Sequence, residues 1–210
     1  MMKATITKLI GVVSVGKSKY ATTQKLKNIV NIDDIRNRIK EEHPDLSPSE
    51  LSKEAFTEAN FLVTLHSLNE DTVYDSENLN RKRRRSFYRT MNEKYSNPIM
   101  EKTIKAVVFV EPLSLILEKN QRKAAPVDET VITRMYHTIQ IPKVGLDCDE
   151  YEVRGETDFF NRKVSYQDLL DTQSIEDLNL LLSERYQEEI SKLFGPHDTP
   201  YHLEDINTHI

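Results

Sequence analysis

Gly11-Val12-Val13-Ser14-Val15-Gly16-Lys17-Ser18 is the stretch on which the reading of this chain turns. It satisfies the pattern G-x-x-x-x-G-K-[ST]. Such a loop wraps an anion with successive backbone N–H groups, and the helix behind it adds a favourable dipole. Gly16 lets the backbone come close to a phosphate. Lys17 is placed to reach β- and γ-phosphates, and the Ser18 hydroxyl to ligate Mg²⁺. The pattern needs a strand before it and a helix after it, and both are expected here. Ala4–Ile10 has strand character, and a helical stretch runs from about Lys17 to Leu26. Two positions depart from the usual composition. Ser14 stands where many such loops carry glycine. Val15 is β-branched and should resist a positive φ, so it must occupy a position that does not need one or else weaken the loop.

Working outward, Lys27-Asn-Ile-Val-Asn-Ile predicts a second strand, and Asp33-Asp34 open a helix at Ile35. Ser47-Pro48-Ser49-Glu50 is a helix start with a capping-box spacing and proline at the first helical position. Leu51, Ala55, Ala59, Leu62 and Val63 continue it as an apolar stripe. Thr72–Asp75 predicts a short buried strand, and the basic stretch from Arg81 a helix. Ile104-Lys-Ala-Val-Val-Phe-Val110 is short, β-branched and nearly continuously apolar, as suits a parallel strand covered on both faces. Two helices follow, over 113–122 and 127–138, and then a strand at Tyr151–Arg154. This alternation predicts an α/β fold with a parallel sheet and helices on both faces.

The chain has 210 residues, a net charge of −5 and 38% hydrophobic residues. This suits a globular protein with one principal core, and it excludes a generally basic nucleic-acid coat. A local basic groove is compatible with the total. The single cysteine, Cys148, excludes an internal disulfide framework and a cysteine-based zinc site. No signal-peptide pattern or membrane-length apolar run occurs, so the expected location is the cytoplasm. The domain expectation is a unit over 1–155 and a helical C-terminal extension over 156–210. The tail carries His197, His202 and His209. It loosely resembles the opening of an HD-type phosphohydrolase domain but lacks the ligands of a complete site; a surface loop with a short helix is the simpler reading.

A phosphate loop specifies nucleotide binding but not a reaction. Transfer to a hydroxyl benefits from a carboxylate near the acceptor, at the carboxyl end of a neighbouring strand. Asp33 and Asp34 stand at such an end, with Arg36 close by to hold an acceptor phosphate. The competing role for Asp33 is a helix N-cap. Asp75 could organise Mg²⁺ and its water, or simply cap a turn before Asn78. Arg81-Lys82-Arg83-Arg84-Arg85 is the densest basic run. Five consecutive residues cannot share one helix face, so only a minority, Arg84 among them, is expected to meet a substrate, with one or two turned inward.

Four segments together resemble the phage-type polynucleotide 5′-kinases, within the small P-loop kinases. They are Gly11 to Ser18; Asn31-Ile-Asp33-Asp34-Ile-Arg36; Asp75-Ser-Glu-Asn78-Leu with its trailing arginines; and Asn120-Gln-Arg122-Lys123-Ala-Ala-Pro126 followed by Arg134-Met135-Tyr136. The resemblance covers most of residues 4 to 154. It implies a P-loop kinase fold and ATP-dependent phosphorylation, with Mg²⁺, of DNA or RNA 5′ ends, in nucleic-acid repair. It gives Asp33 the role of general base and Arg36 a contact to the phosphate beside the acceptor hydroxyl. Arg122 becomes a lid arginine over the donor phosphates, with Lys123 as the alternative. Gly11, Ser14, Val15, Gly16, Lys17 and Ser18 would bind the nucleotide. A small-molecule kinase and a nucleotide-binding module without turnover remain open, as does a homo-oligomeric state.

Overall fold

The computed structural model describes residues 2–23, 28–94, 100–155, 172, 174–182 and 184. The elements follow one another as β1 (Met2–Ile10), α1 (Lys17–Thr23), β2 (Asn28–Asn31), α2 (Ile32–Glu42), α3 (Pro48–His66), β3 (Thr72–Asp75), α4 (Arg81–Lys94), β4 (Met100–Phe109), α5 (Leu113–Gln121), α6 (Glu129–His137) and β5 (Glu150–Arg154). Their order is the one expected from hydrophobic patterning. The five strands form one sheet in the order β2-β3-β1-β4-β5. Every pairing is parallel, with Ile6 of β1 opposite Thr72 of β3 and Ile104 of β4. The chain moves outward from β1 on one side and then crosses back to the other. This puts a topological switch beside β1, where parallel sheets open a crevice at the strands' carboxyl ends.

Helices on the two sides of the sheet build two apolar cores. One gathers Ala21 of α1, Ile116 of α5 and Ile132 of α6 around Leu9, Val107 and Val108. The other packs Ile35 of α2, Ala55, Ala59 and Val63 of α3, and Met91 of α4 against Ile6, Val30, Tyr74 and Ile104. Burial on both faces explains why the Ala106–Phe109 end of β4 is continuously apolar rather than alternating. The α3 start is as expected: Ser47 and Glu50 form a reciprocal capping box, and Leu51, Ala55, Ala59 and Val63 are its buried stripe.

The start of α2 differs from expectation. It begins at Ile32 because the Asn31 side chain caps it, accepting from the backbone N–H of Asp33 at 2.8 Å and of Asp34 at 3.2 Å. Asp33 is therefore released from the capping role and sits in the first turn. In the C-terminal region, 175–182 is helical, and Ile175, Leu178 and Leu182 are fully buried in the same core as α5 and α6. The rest of the expected extension, including His197, His202 and His209, lies outside the described residues. No described helix is long and apolar enough to cross a membrane.

Candidate active site

The phosphate loop leaves β1 and turns into α1 under two different glycine constraints. At Gly11 the constraint is space: a Cβ there would lie 2.9 Å from Val15 Cγ2 and 3.1 Å from Phe109 Cβ. At Gly16 it is conformation, since φ is 86° and nothing crowds the position. Val15 does not take a positive φ. It is buried and packs across the neck of the loop onto Gly11, which resolves the concern raised by its β-branch. The left-handed position falls on Ser14, with φ 69°. For a non-glycine residue this costs on the order of 1 kcal/mol. The Ser14 hydroxyl oxygen is shielded and has no hydrogen-bond partner.

Lys17 is 9% exposed, and its ammonium donates to the carbonyls of Gly11 at 2.9 Å and Val12 at 2.6 Å. Burial pulls its pKa below the usual lysine range; the Glu77, Asp75 and Asp33 carboxylates oppose the shift and Lys123 adds to it. The loop is tied to its neighbour as well, because the Gly11 N–H donates to the carbonyl of Glu77 at 3.1 Å.

Asp75 ends β3, 4% exposed, and one of its oxygens accepts two bonds: from Ser18 Oγ at 2.9 Å and from Asn31 Nδ2 at 2.9 Å. Asn31 thus performs two tasks. Its oxygen caps α2 and its nitrogen orients Asp75, which links α2 to the centre of the site. Hydroxyl and carboxylate oxygens of this kind suit Mg²⁺, which takes one or two protein oxygens and completes its shell with water and phosphate. Among the described residues, no cluster of three or more His, Cys, Asp or Glu could hold a metal alone.

These groups line one crevice of about 300 Å³ together with Asp33, Ser76, Glu77 and Lys123. The Asp33 carboxylate pairs with Arg36 one turn later on α2. Lys17, Ser18, Asp75 and Asp33, chosen on separate sequence segments, are therefore brought together, with Arg36 held on Asp33.

Two expected residues are placed elsewhere. Arg122 is the C-cap of α5, and its guanidinium turns back to pair with Glu118 at i−4, 74% exposed. Lys123, the first side chain off the helix, lines the crevice instead. The turn behind it is held by buried Asn120, whose amide donates to the Val127 carbonyl at 2.7 Å and accepts from the Val127 N–H at 3.0 Å. Arg84 is corrected from a substrate ligand to a core residue. It is 1% exposed and forms an ion pair with Asp147 at 2.8 Å. Its other donors reach the carbonyls of Asn78 at 2.7 Å, Leu79 at 2.9 Å and Gln140 at 2.6 Å. It braces the loop between β3 and α4 from beneath, so its effect on the crevice is indirect.

Sequence reasoning missed Asn31 as a site residue, and Ser76 and Glu77 altogether. The signal for Asn31 was present: an asparagine two residues before an acidic pair is a capping spacing. Nothing in the sequence marked Ser76 or Glu77 apart from their position after a strand-end aspartate.

No protein-family model matches the chain, and no curated protein matches it by sequence. Solved structures do share its architecture. A candidate kinase from Chloroflexus aurantiacus superposes with a TM-score of 0.51 at 14% identity, over 88% of this chain and 98% of its own. A fungal RNA kinase superposes with a TM-score of 0.50 at 14% identity, over 99% of this chain and 49% of its own, so this chain spans about half of that protein. With the parallel sheet, its strand order and the loop between β1 and α1, these likenesses show that the chain has the P-loop kinase fold.

Proposed function

We propose that the chain is an ATP-dependent kinase that phosphorylates the 5′-hydroxyl end of a polynucleotide. The observation that carries this reading is a single crevice lined by phosphate-loop Lys17, the Ser18–Asp75 pair and the Asp33 carboxylate, with Arg36 paired to it. It contains a donor side and an acceptor side, which a module that only binds nucleotide does not need.

In this reading Asp33 accepts the proton of the acceptor hydroxyl as its oxygen bonds to the γ-phosphorus of ATP. The bond from that phosphorus to the β–γ bridging oxygen breaks, and its electron pair leaves with ADP. Lys17 and the loop N–H groups offset the charge that builds on the leaving phosphates, and Lys123, which lines the same crevice, adds a second cation. Ser18 and Asp75 would hold Mg²⁺, which when bound neutralises charge on the β- and γ-phosphate oxygens. Arg36 holds the acceptor's neighbouring phosphate and so aligns the hydroxyl with Asp33. The polynucleotide assignment draws on the resemblance of four segments to phage-type 5′-kinases and on the fold shared with a fungal RNA kinase.

The test is transfer of label from γ-labelled ATP with Mg²⁺. A 5′-hydroxyl oligonucleotide should be labelled, and the same oligonucleotide carrying a 5′-phosphate should not. Labelling of a nucleoside or sugar with no labelling of any oligonucleotide would make the chain a small-molecule kinase instead.

A further inference from the structure

The side chain that follows Phe56 of α3 across to α4 is Arg83, the neighbour of buried Arg84, and it points the other way. The Arg83 guanidinium carbon lies 5.4 Å from the centre of the Phe56 ring. Eight residues further along both helices, Thr64 Oγ1 meets Met91 Sδ at 3.7 Å. The equal step means that α3 and α4 run side by side in the same direction. The Arg83–Phe56 contact is therefore at the end where the chain enters α4, just after the crevice residues Ser76 and Glu77. The acceptor helix adjoins this corner, since Arg38 of α2 pairs with Glu58 of α3, two residues beyond Phe56. Arg83 is exposed, and no described carboxylate forms an ion pair with it. Phe56, by contrast, is partly buried and packed on the core, which gives the stacked guanidinium a fixed seat. One face of the guanidinium rests on the ring while its N–H edge has no described partner, an arrangement suited to a phosphate.

We propose that Arg83, seated on Phe56, binds a backbone phosphate of the acceptor strand beyond the nucleotide being phosphorylated. Arg36 and Arg83 then mark two successive points of a track leading away from Asp33, and a strand touches both whereas a mononucleotide touches only the first. This deepens the proposed function and rests on its polynucleotide acceptor.

Steady-state kinetics at saturating ATP and Mg²⁺ test it, with a 5′-hydroxyl oligonucleotide of about ten nucleotides and a nucleoside 3′-monophosphate as alternative acceptors. Arg83→Ala should raise KM for the oligonucleotide about 10-fold and lower the salt-dependence slope of its binding by about one. KM for the nucleoside 3′-monophosphate and for ATP should stay at the wild-type value. Arg83→Lys, which keeps the charge and loses the stacked plane, should fall between. An unchanged oligonucleotide KM in Arg83→Ala, or an equal rise for both acceptors, would overturn the proposal while leaving the kinase reading intact. A wild-type chain that labels the monophosphate but no oligonucleotide overturns the polynucleotide reading and this proposal together.

Discussion

The two walls of the crevice are built by different means. On the donor wall everything is fixed by backbone and burial: Gly11 has no room for a side chain, Val15 plugs the loop's neck, and Lys17 is held by two carbonyls. On the wall proposed for the acceptor the groups are side chains that reach into solvent, with Asp33 59% and Arg36 30% exposed and paired with one another. Asn31, which spans from the α2 cap to Asp75, ties the two together by hydrogen bonds. A rigid donor wall suits a triphosphate, whose shape is constant. In the proposed function, an open acceptor wall at the start of α2 would let the acceptor be varied without disturbing the nucleotide. The comparison teaches that substitutions on one wall should cost ATP binding and turnover together, and on the other should cost turnover or acceptor binding while ATP binding is kept.

The effect expected to reach both ATP binding and turnover is on the donor wall. Lys17→Ala should reduce phosphoryl transfer by about 10²-fold or more and weaken ATP binding in parallel, measured by initial rates and by calorimetric titration. Next comes the brace beneath the loop. Arg84→Ala leaves Asp147 buried without its partner and should cost about 3–5 kcal/mol of unfolding free energy in denaturant titrations. Exposed Arg83→Ala should stay within about 0.5 kcal/mol of wild type in the same assay. Equal losses for the two arginines would break the distinction drawn between them.

A smaller effect concerns the other buried lysine of this region. Lys8 is 3% exposed, with its ammonium 4.0 Å from the Phe87 ring centre and 5.3 Å from that of Tyr74. Burial chiefly, and Arg84 in addition, lower its pKa from 10.5 to about 7, against an opposing pull from Asp147. Between pH 7 and 10.5 the unfolded chain holds one proton more at this residue than the folded chain, so its contribution makes stability rise with pH across that window. Below about pH 7 both states are protonated and the full cost of burying the charge applies. Lys8→Met should therefore raise Tm at pH 6 by roughly 5 °C, with the gain shrinking toward pH 10. A gain that does not depend on pH would assign the effect to packing rather than to charge.

Much of this was legible in the chain itself. Every strand and helix follows from local pattern, because parallel strands covered on both faces and amphipathic helices have distinct periods. The strand order β2-β3-β1-β4-β5 was not legible, since it depends on crossovers that no local pattern records. Lys17 and Ser18, which the motif singles out, line the crevice, although which of Ser14 and Val15 takes the left-handed conformation needed coordinates. Of the two lid candidates the sequence offers, Lys123 lines the crevice and Arg122 does not. Arg122 is the C-cap of α5, where Glu118 at i−4 captures it, and Lys123 is the residue that follows. The Arg84 expectation failed on helix periodicity. Arg84, Tyr88 and Met91 share one face of α4, and that face is turned to the protein: Arg84 to Asp147, Tyr88 to Asp149 at 2.7 Å, Met91 to the core. A charge in register with an apolar stripe is an inward residue seeking a partner, and the spacing contained that information.

The most direct measurement of the central claim is Asp33→Ala, with ATP affinity and phosphoryl transfer determined on the same preparation. If Asp33 is the acceptor-side base of a crevice whose donor wall stands independently, ATP Kd stays within about twofold of wild type while transfer to a 5′-hydroxyl oligonucleotide falls by about 10²- to 10⁴-fold. Transfer that survives at the wild-type rate, or ATP binding that is lost together with it, would contradict the division of the site into two separately built walls.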